Sequence, residues 1–253
     1  MNDMVVAIIL GRKGSKGVRD KNTMDILGRP AFFYPFMAAN NSEYIDKTFV
    51  STDHDTIMDG AKEMGLSMIT RPDSLCTDEA LFEDALIHAY FKIKEIIGGQ
   101  PKYVVVLMCN AVTISSQQID TAVQMLENDP LADSAVTVSI FNMYSPLRAR
   151  KTDNDGYLIP FVPLETFGDP KTLNCDRGSQ GNAFFADMSH SVCRSQCLEN
   201  IDIGLLPQRW MGKKILPVFN QYGCDIDEPW QIDMSIRWLK DHGFTGTKTP
   251  YKL

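Results

Sequence analysis

The sequence lacks every common signature of a structural metal. None of its six cysteines (Cys76, Cys109, Cys175, Cys193, Cys197, Cys224) forms a Cys-x-x-Cys pair, and none has a histidine at zinc-finger spacing. Cys193 and Cys197 lie four apart with no second pair to complete a site, so the cysteines read as free thiols of a reducing cytoplasm. No apolar run approaches the roughly 20 residues that span a bilayer. The first apolar run, Val5 to Leu10, precedes the basic cluster, whereas an export signal places its charge first; the expectation is a cytoplasmic protein. A surplus of positive charge is also missing. The net charge of −7 leaves no broad basic face for nucleic acid or an anionic membrane, although a local basic pocket is still allowed. Internal repeats and low-complexity segments are absent. The four histidines, His54, His88, His190 and His242, sit in no triad or metal context.

What is present describes a globular chain. Its 253 residues are 44% hydrophobic and 23% charged, enough for a single domain running from 1 to 253. Met4 to Leu10 is a continuous apolar run bounded by glycine, the pattern of a strand buried on both faces. After Gly28-Arg29-Pro30, the residues Phe32, Phe33, Phe36 and Met37 fall at helical spacing; Pro30 suits the first turn and Pro35 should bend or shorten the helix. Lys47–Thr52 reads as a strand, Asp55–Met64 as a helix closed by Gly65, and Leu66–Thr70 as a strand. Thr77, Asp78 and Glu79 look like a helix start, followed by an apolar face of Phe82, Leu86, Ala89, Ile93 and Ile97 that stops at Gly98-Gly99. Tyr103–Met108 and Ala135–Phe141 read as strands around a helix capped by Ser115 or Ser116. Ala183–Met188 and Ile215–Phe219 are further strands, and the last helix carries Pro229 in its first turn and ends at Gly243. Alternating strands and helices predict an α/β fold, a Rossmann-like doubly wound and mostly parallel sheet.

Between 142 and 180 this alternation stops. The segment is rich in Pro, Gly, Asp and Asn, and Thr152-Asp153-Asn154-Asp155-Gly156 is a hairpin-turn signal. An inserted β-rich lobe is expected there, since a long structureless loop inside a compact domain is uncommon unless it works as a lid or an interface.

The segment directly after the first strand, Gly11-Arg12-Lys13-Gly14-Ser15-Lys16-Gly17-Val18-Arg19-Asp20-Lys21-Asn22, is the most informative. It holds five basic residues and three evenly spaced glycines in a chain that is acidic overall. Glycines let the backbone approach a ligand, and the cations neutralise phosphate oxygens. Ligands of such sheets bind beyond the carboxyl ends of the strands, so a di- or triphosphate is the natural guest. The order of residues matches neither the Walker loop nor the dinucleotide fingerprint. Near the other end lies Asp225-Ile226-Asp227. Carboxylates at i and i+2 of extended backbone point to one side and can hold a Mg²⁺ that also binds phosphate. Asp227 could instead cap the last helix. Asp53-His54-Asp55 is a competing acidic pair, more simply read as the cap of the helix that follows it.

Arg12, Ser15, Lys16 and Gly17 followed by Lys21-Asn22 resemble the signature loop of the acylneuraminate cytidylyltransferases, which make CMP-activated sugar acids. Ser51-Thr52-Asp53, Arg71-Pro72 with Leu75, Asp78 and Ala80, Gly181-Asn182-Ala183-Phe184-Phe185, and Asp225-Ile226-Asp227 with Pro229 are similar to that family's later segments, in order. The resemblance implies a nucleotide site of Leu10, Gly11, Arg12, Ser15, Lys16, Lys21, Asn22, Arg71 and Ala80. Arg12, Lys16 and Lys21 would be catalytic through the triphosphate, and Asp225 and Asp227 would bind Mg²⁺ or another divalent metal. It further implies attack by an acceptor oxygen on the α-phosphate of CTP, and a homodimer made through the 142–180 lobe.

The acceptor half departs from the pattern. Where the sialic-acid enzymes carry Gln-Pro-Thr-Ser-Pro-Leu-Arg, this chain reads Met108-Cys109-Asn110-Ala111-Val112-Thr113-Ile114; a separate departure is Phe82, which stands where a small hydroxyl residue is usual near the base. Asn110, Thr113, Arg177 and Phe184 are the candidate acceptor residues. Three readings stay open from sequence: a cytidylyltransferase for a sialic or other nonulosonic acid, one for another small acid such as a phosphonate or phosphorylated alcohol, and a glycosyltransferase or silent nucleotide-binding protein.

Overall fold

The computed structural model describes residues 3–14 and 17–251, with the side chain of Arg177 outside that description. The apolar run near the start forms β1 (Val5–Gly11) at the middle of a seven-stranded sheet. Two short strands, β2 (Asp25–Ile26) and β3 (Arg29–Pro30), then pair with each other before α1 (Phe33–Asn40). β4 (Lys47–Thr52), α2 (Asp55–Glu63) and β5 (Ser67–Thr70) follow. Next come α3 (Phe82–Ile97), β6 (Tyr103–Met108), α4 (Ser116–Asn128) and β7 (Ser134–Ile140). The hairpin β8 (Arg150–Thr152) and β9 (Leu158–Pro160) precedes β10 (Phe184–Arg194), α5 (Ser195–Glu199), β11 (Ile215–Phe219) and α6 (Pro229–Asp241).

The strand order is β11-β7-β10-β6-β1-β4-β5. Only β10 runs against its neighbours; the other pairings, β1 with β4 and β6, β4 with β5, and β7 with β11, are parallel. β1 shows why the sheet is covered twice. Val5, Ala7 and Ile9 join a core with α1, α2 and α4, while Val6, Ile8 and Leu10 join a second core under α3. Side chains alternate across a strand, so a run without polar residues requires helices on both faces. Each large aliphatic side chain so buried contributes about 1.5–3 kcal/mol. A third cluster, with Ile26, Tyr34, Ile226 and Trp238, ties α6 to the end of the sheet. The expected doubly wound architecture is therefore present.

Several local expectations change. Pro30 belongs to β3 rather than to a helical turn, and Pro35 sits in the first turn of α1, where a missing N–H costs least. α3 begins at Phe82, after Leu81, so Thr77, Asp78 and Glu79 do not cap it. His54, not an aspartate, caps α2: its Nδ1 accepts from Thr56 N at 3.3 Å. Ser115 and Gln118 form a reciprocal cap on α4. The 142–180 segment carries one two-stranded hairpin and four short 3-10 helices, so it is a lobe of turns more than a β-rich one.

Candidate nucleotide site

The parallel register sets the ends of three strands side by side. Leu10 pairs with Met108 of β6, and Gly11 with Thr52 of β4. β4 and β5 lie to one side of β1 and β6 to the other, so the crevice opens where the winding reverses. A cleft of about 380 Å³ occupies this place. Leu10, Gly11, Arg12, Gly17, Lys21, Asn22, Arg71, Ala80, Asn110, Asp225 and Asp227 all line it, with Phe82 and Met108 completing the wall. Ser15 and Lys16 lie outside the described residues.

Contacts fix the turn after β1 at several points. The amide of Asn22 donates to Arg12 O at 2.9 Å, and Lys13 N donates to Asp53 Oδ1 at 2.7 Å. Asp53 is thus a clip for the basic loop. Two glycines allow the close approaches. A Cβ on Gly11 would lie 2.5 Å from Cys109 Sγ, and one on Gly17 would lie 2.6 Å from the carbonyl oxygen of Asp227. Real Cβ atoms essentially never come this near, so the loop needs glycine there to pack on its neighbours.

The aspartates arrive from the other end of the chain. Ile226 N donates to Asn110 O at 3.1 Å, and the Asn110 amide donates to Ile226 O at 3.1 Å and to Asp225 Oδ2 at 3.3 Å. Asn110 is buried, and its N–H groups hold the aspartate segment against the end of β6. Glu228, not Asp227, caps α6, in a reciprocal arrangement with Gln231. Asp227 is left facing the cleft, where Lys21 Nζ pairs with its Oδ1. The Gly17 approach and this ion pair place the cationic turn and the paired aspartates in one cleft.

The electrostatics are mixed at close range. Burial first, and then the neighbouring Asp227, push Asp225 up to about 6, against the opposing pull of Lys21 and the Asn110 hydrogen bond. Two carboxylates that resist joint ionisation form a hard-oxygen donor pair suited to a divalent cation such as Mg²⁺. Among the described residues, no group of three or more His, Cys, Asp or Glu is placed to hold a metal, so any ion here needs further oxygens from water or ligand. Arg12 Nη1 lies 2.6 Å from Asp78 Oδ1. Arg71 is almost wholly buried, donating from Nη2 to Ser51 O at 2.6 Å and from Nε to Ser51 Oγ at 3.2 Å. Burial lowers its pKa from the usual arginine range, with Asp53 opposing.

The acceptor candidates are scattered. Thr113 is fully buried; its hydroxyl donates to Cys224 O at 2.8 Å, accepts from Cys224 N at 2.9 Å and meets Ser189 Oγ at 2.9 Å. It braces the chain leading to the aspartates and does not reach the cleft. Phe184 stands half exposed at the start of β10, against Phe219 at 5.9 Å between ring centres, and is no part of the cleft wall. The position of the Arg177 side chain lies outside the described residues. Met108 and Phe82, noted in the sequence as departures from the resembled pattern, line the cleft together with Leu81, to which sequence reasoning gave no role. The register of β1 against β6 was the available signal for Met108.

Comparison with known proteins supports the same reading. A family described as Cytidylyltransferase matches residues 6–154. Over 89 residues the chain is 36% identical to the N-acylneuraminate cytidylyltransferase of Escherichia coli O18:K1:H7 (strain RS218 / NMEC), covering 35% of this chain and 21% of that protein. Over 230 residues it is 27% identical to the pseudaminic acid cytidylyltransferase and UDP-2,4-diacetamido-2,4,6-trideoxy-beta-L-altropyranose hydrolase of Helicobacter pylori (strain ATCC 700392 / 26695), covering 88% of this chain and 38% of that one. The chain thus spans 21% and 38% of the length of these two relatives. A CMP:2-keto-3-deoxy-manno-octonic acid synthetase solved with CTP shares the fold, with a TM-score of 0.66 at 15% identity over 94% of this chain and 99% of that chain. With residues 6–154, more than half of its length, matched to the family described as Cytidylyltransferase, the chain belongs to that family.

Proposed function

We propose that this chain transfers CMP from CTP to a sugar acid, a sialic or other nonulosonic acid, and releases pyrophosphate. The observation that carries the reading is the meeting of the cationic turn and the aspartate pair: Gly17 against the Asp227 carbonyl and Lys21 against its carboxylate, in one cleft beyond the ends of β1 and β6. Arg12 and Lys21 are placed to neutralise the triphosphate, with Lys16 in the same turn by sequence. Arg71 and Ala80 would border the base, Leu10 would line the same nucleotide site, and Asn22 keeps the turn in place through Arg12 O. Asp225 and Asp227 would hold Mg²⁺, which when bound withdraws charge from the phosphates and favours loss of pyrophosphate. The protein's share is alignment of the acceptor oxygen with the α-phosphorus and fixed positive charge where negative charge develops.

A second acceptor class, a phosphonate or a phosphorylated alcohol, is favoured by one observation. The Asn110 amide is engaged with the aspartate segment and Thr113 is buried, so neither presents the polar groups that a sugar acid meets in the resembled pattern. A homodimer through the lobe and its flank would cover Phe184, Phe185 and Phe219, which are exposed beside Tyr144 and Met143. All six cysteines are free, as suits a reducing cytoplasm. In the described residues no helix is long and apolar enough to cross a membrane.

Pyrophosphate release from CTP, measured with Mg²⁺ against a panel of sugar acids and phosphonates, tests the proposal. Turnover is expected with one acceptor class and only with metal. Tight CTP binding with no turnover on any acceptor would instead indicate a silent binding protein.

A further inference from the structure

Two cations of the turn that line the cleft, Arg12 and Lys21, each already hold a carboxylate. Lys21 pairs with Asp227, which the proposed metal would engage. Arg12 pairs with Asp78 at 2.6 Å, and no part of the proposed chemistry uses Asp78. Asp78 lies in the stretch between Cys76 and α3, where it does not cap that helix. Its near neighbours Ala80, Leu81 and Phe82 line the cleft. Both partners of the pair are partly open to solvent, so it can exchange without unpacking the core.

A carboxylate and a phosphate oxygen accept the same charge-assisted hydrogen bond from a guanidinium, and they compete for it. We propose that Asp78 is a stand-in for phosphate: it occupies Arg12 in the nucleotide-free cleft, is displaced by the polyphosphate, and through its two-residue link to Ala80 resets the 76–81 segment beside the base. This rests on the cleft being the triphosphate site. Asp78 therefore sets how tightly polyphosphate binds, and it couples phosphate occupancy to the base side of the cleft.

The test is calorimetric titration of inorganic tripolyphosphate and, separately, cytidine into the full chain and its Asp78→Asn variant. An ion pair this exposed is worth a factor of about two to five in an equilibrium. The variant should bind tripolyphosphate about two- to fivefold more tightly and cytidine with unchanged affinity. Glu79→Gln removes the same charge from the adjacent exposed position and should shift tripolyphosphate binding by much less. Equal or weaker tripolyphosphate binding by Asp78→Asn, an equal gain in Glu79→Gln, or no binding by any form would each overturn the proposal. Should Asp78→Asn fold poorly, Asp78→Ser is scored the same way. In the wild type, tripolyphosphate must also alter amide hydrogen exchange across 76–81, and an unchanged pattern overturns the coupling. These measurements need no acceptor and no turnover, so a failed pyrophosphate-release assay strikes the function while these results judge Asp78.

Discussion

Asp225→Asn separates the site's chemistry from its stability. Asp225 is the more sheltered of the two cleft aspartates, and burial with Asp227 beside it pushes its pKa up to about 6 from 3.8. A raised carboxylate pKa supports the fold below the unfolded value, and that support fades as pH rises from about 4 through 6. Above pH 6 the folded protein carries a charge it holds less readily than the unfolded chain does. Two pKa units correspond to a ceiling of about 3 kcal/mol; coupling to Asp227 and screening by solvent and Lys21 bring the expectation to about 1–2 kcal/mol. The uncharged amide removes this penalty and still offers an oxygen to the Asn110 amide, which lies 3.3 Å away. In EDTA at pH 8 the variant should melt about 2–6 °C above wild type, and the gain should shrink toward zero near pH 4. Added Mg²⁺ and CTP should stabilise wild type only, and pyrophosphate release should be abolished. Full turnover in the variant, or a melting temperature several degrees lower at every pH, would refute the assignment of Asp225 as a strained metal ligand.

Gly17→Ala places a methyl 2.6 Å from the Asp227 carbonyl, so the turn and the aspartates must part by several tenths of an ångström; kcat/KM for CTP should fall about 10–100-fold while the melting temperature stays within about 2 °C. His190 is fully buried, and burial alone pulls its pKa down to about 3 from 6.5. The unfolded chain therefore gains its proton first as pH falls below 6.5, and urea titrations at pH 7 and pH 5 should show His190→Phe relieved of about 2 kcal/mol of acid destabilisation relative to wild type. Phe219→Asp places a charge in the exposed aromatic flank; sedimentation should show monomers with an unchanged circular dichroism spectrum, and a dimer that survives would move the proposed interface elsewhere.

Much of the sheet was legible because its signals are local. Lys47–Thr52, Tyr103–Met108 and Ile215–Phe219 are strands with the bounds that apolar runs and flanking turns suggest. β10 was half legible. Its first residues read as a strand, but Ser189, His190 and Ser191 look like loop residues and are buried in the strand's interior. The Thr137 hydroxyl donates to His190 O at 3.0 Å and accepts from His190 N at 3.1 Å, which satisfies a buried threonine through the strand backbone, while both imidazole nitrogens of His190 lie buried without a hydrogen-bond partner. Its reversed direction is a long-range pairing that no local pattern encodes. Thr77-Asp78-Glu79 misled for another reason: residues that cap helices also serve as ligands of nearby cations, and Asp78 serves Arg12.

The nucleotide half and the acceptor half differ in how they are built, and this decides which could be read. Phosphate recognition, as proposed, would depend on glycine at close approaches and on cations that leave the end of one strand, so the residues are contiguous and their types are constrained by backbone geometry. In the proposed reaction, acceptor recognition would depend on side chains brought together from separate elements, and a given type can serve either the ligand or the scaffold. Asn110 and Thr113 show the ambiguity. Both have the hydrogen-bonding groups of a ligand contact, yet each spends them on the Cys224–Ile226 segment. Their polar groups brace the carboxylates whose placement the proposed reaction requires. On the proposed function, acceptor choice would then fall to Met108, Leu81 and Phe82, apolar residues that line the wall of the cleft. Such a wall discriminates by shape, and a missing or extra methylene changes affinity by about 10–200-fold. Enlarging it by Phe82→Ser should therefore widen the range of acceptors turned over while CTP binding, held by Arg12, Lys21 and Arg71, changes little. A variant that loses CTP affinity and gains no acceptor would place Phe82 with the nucleotide instead.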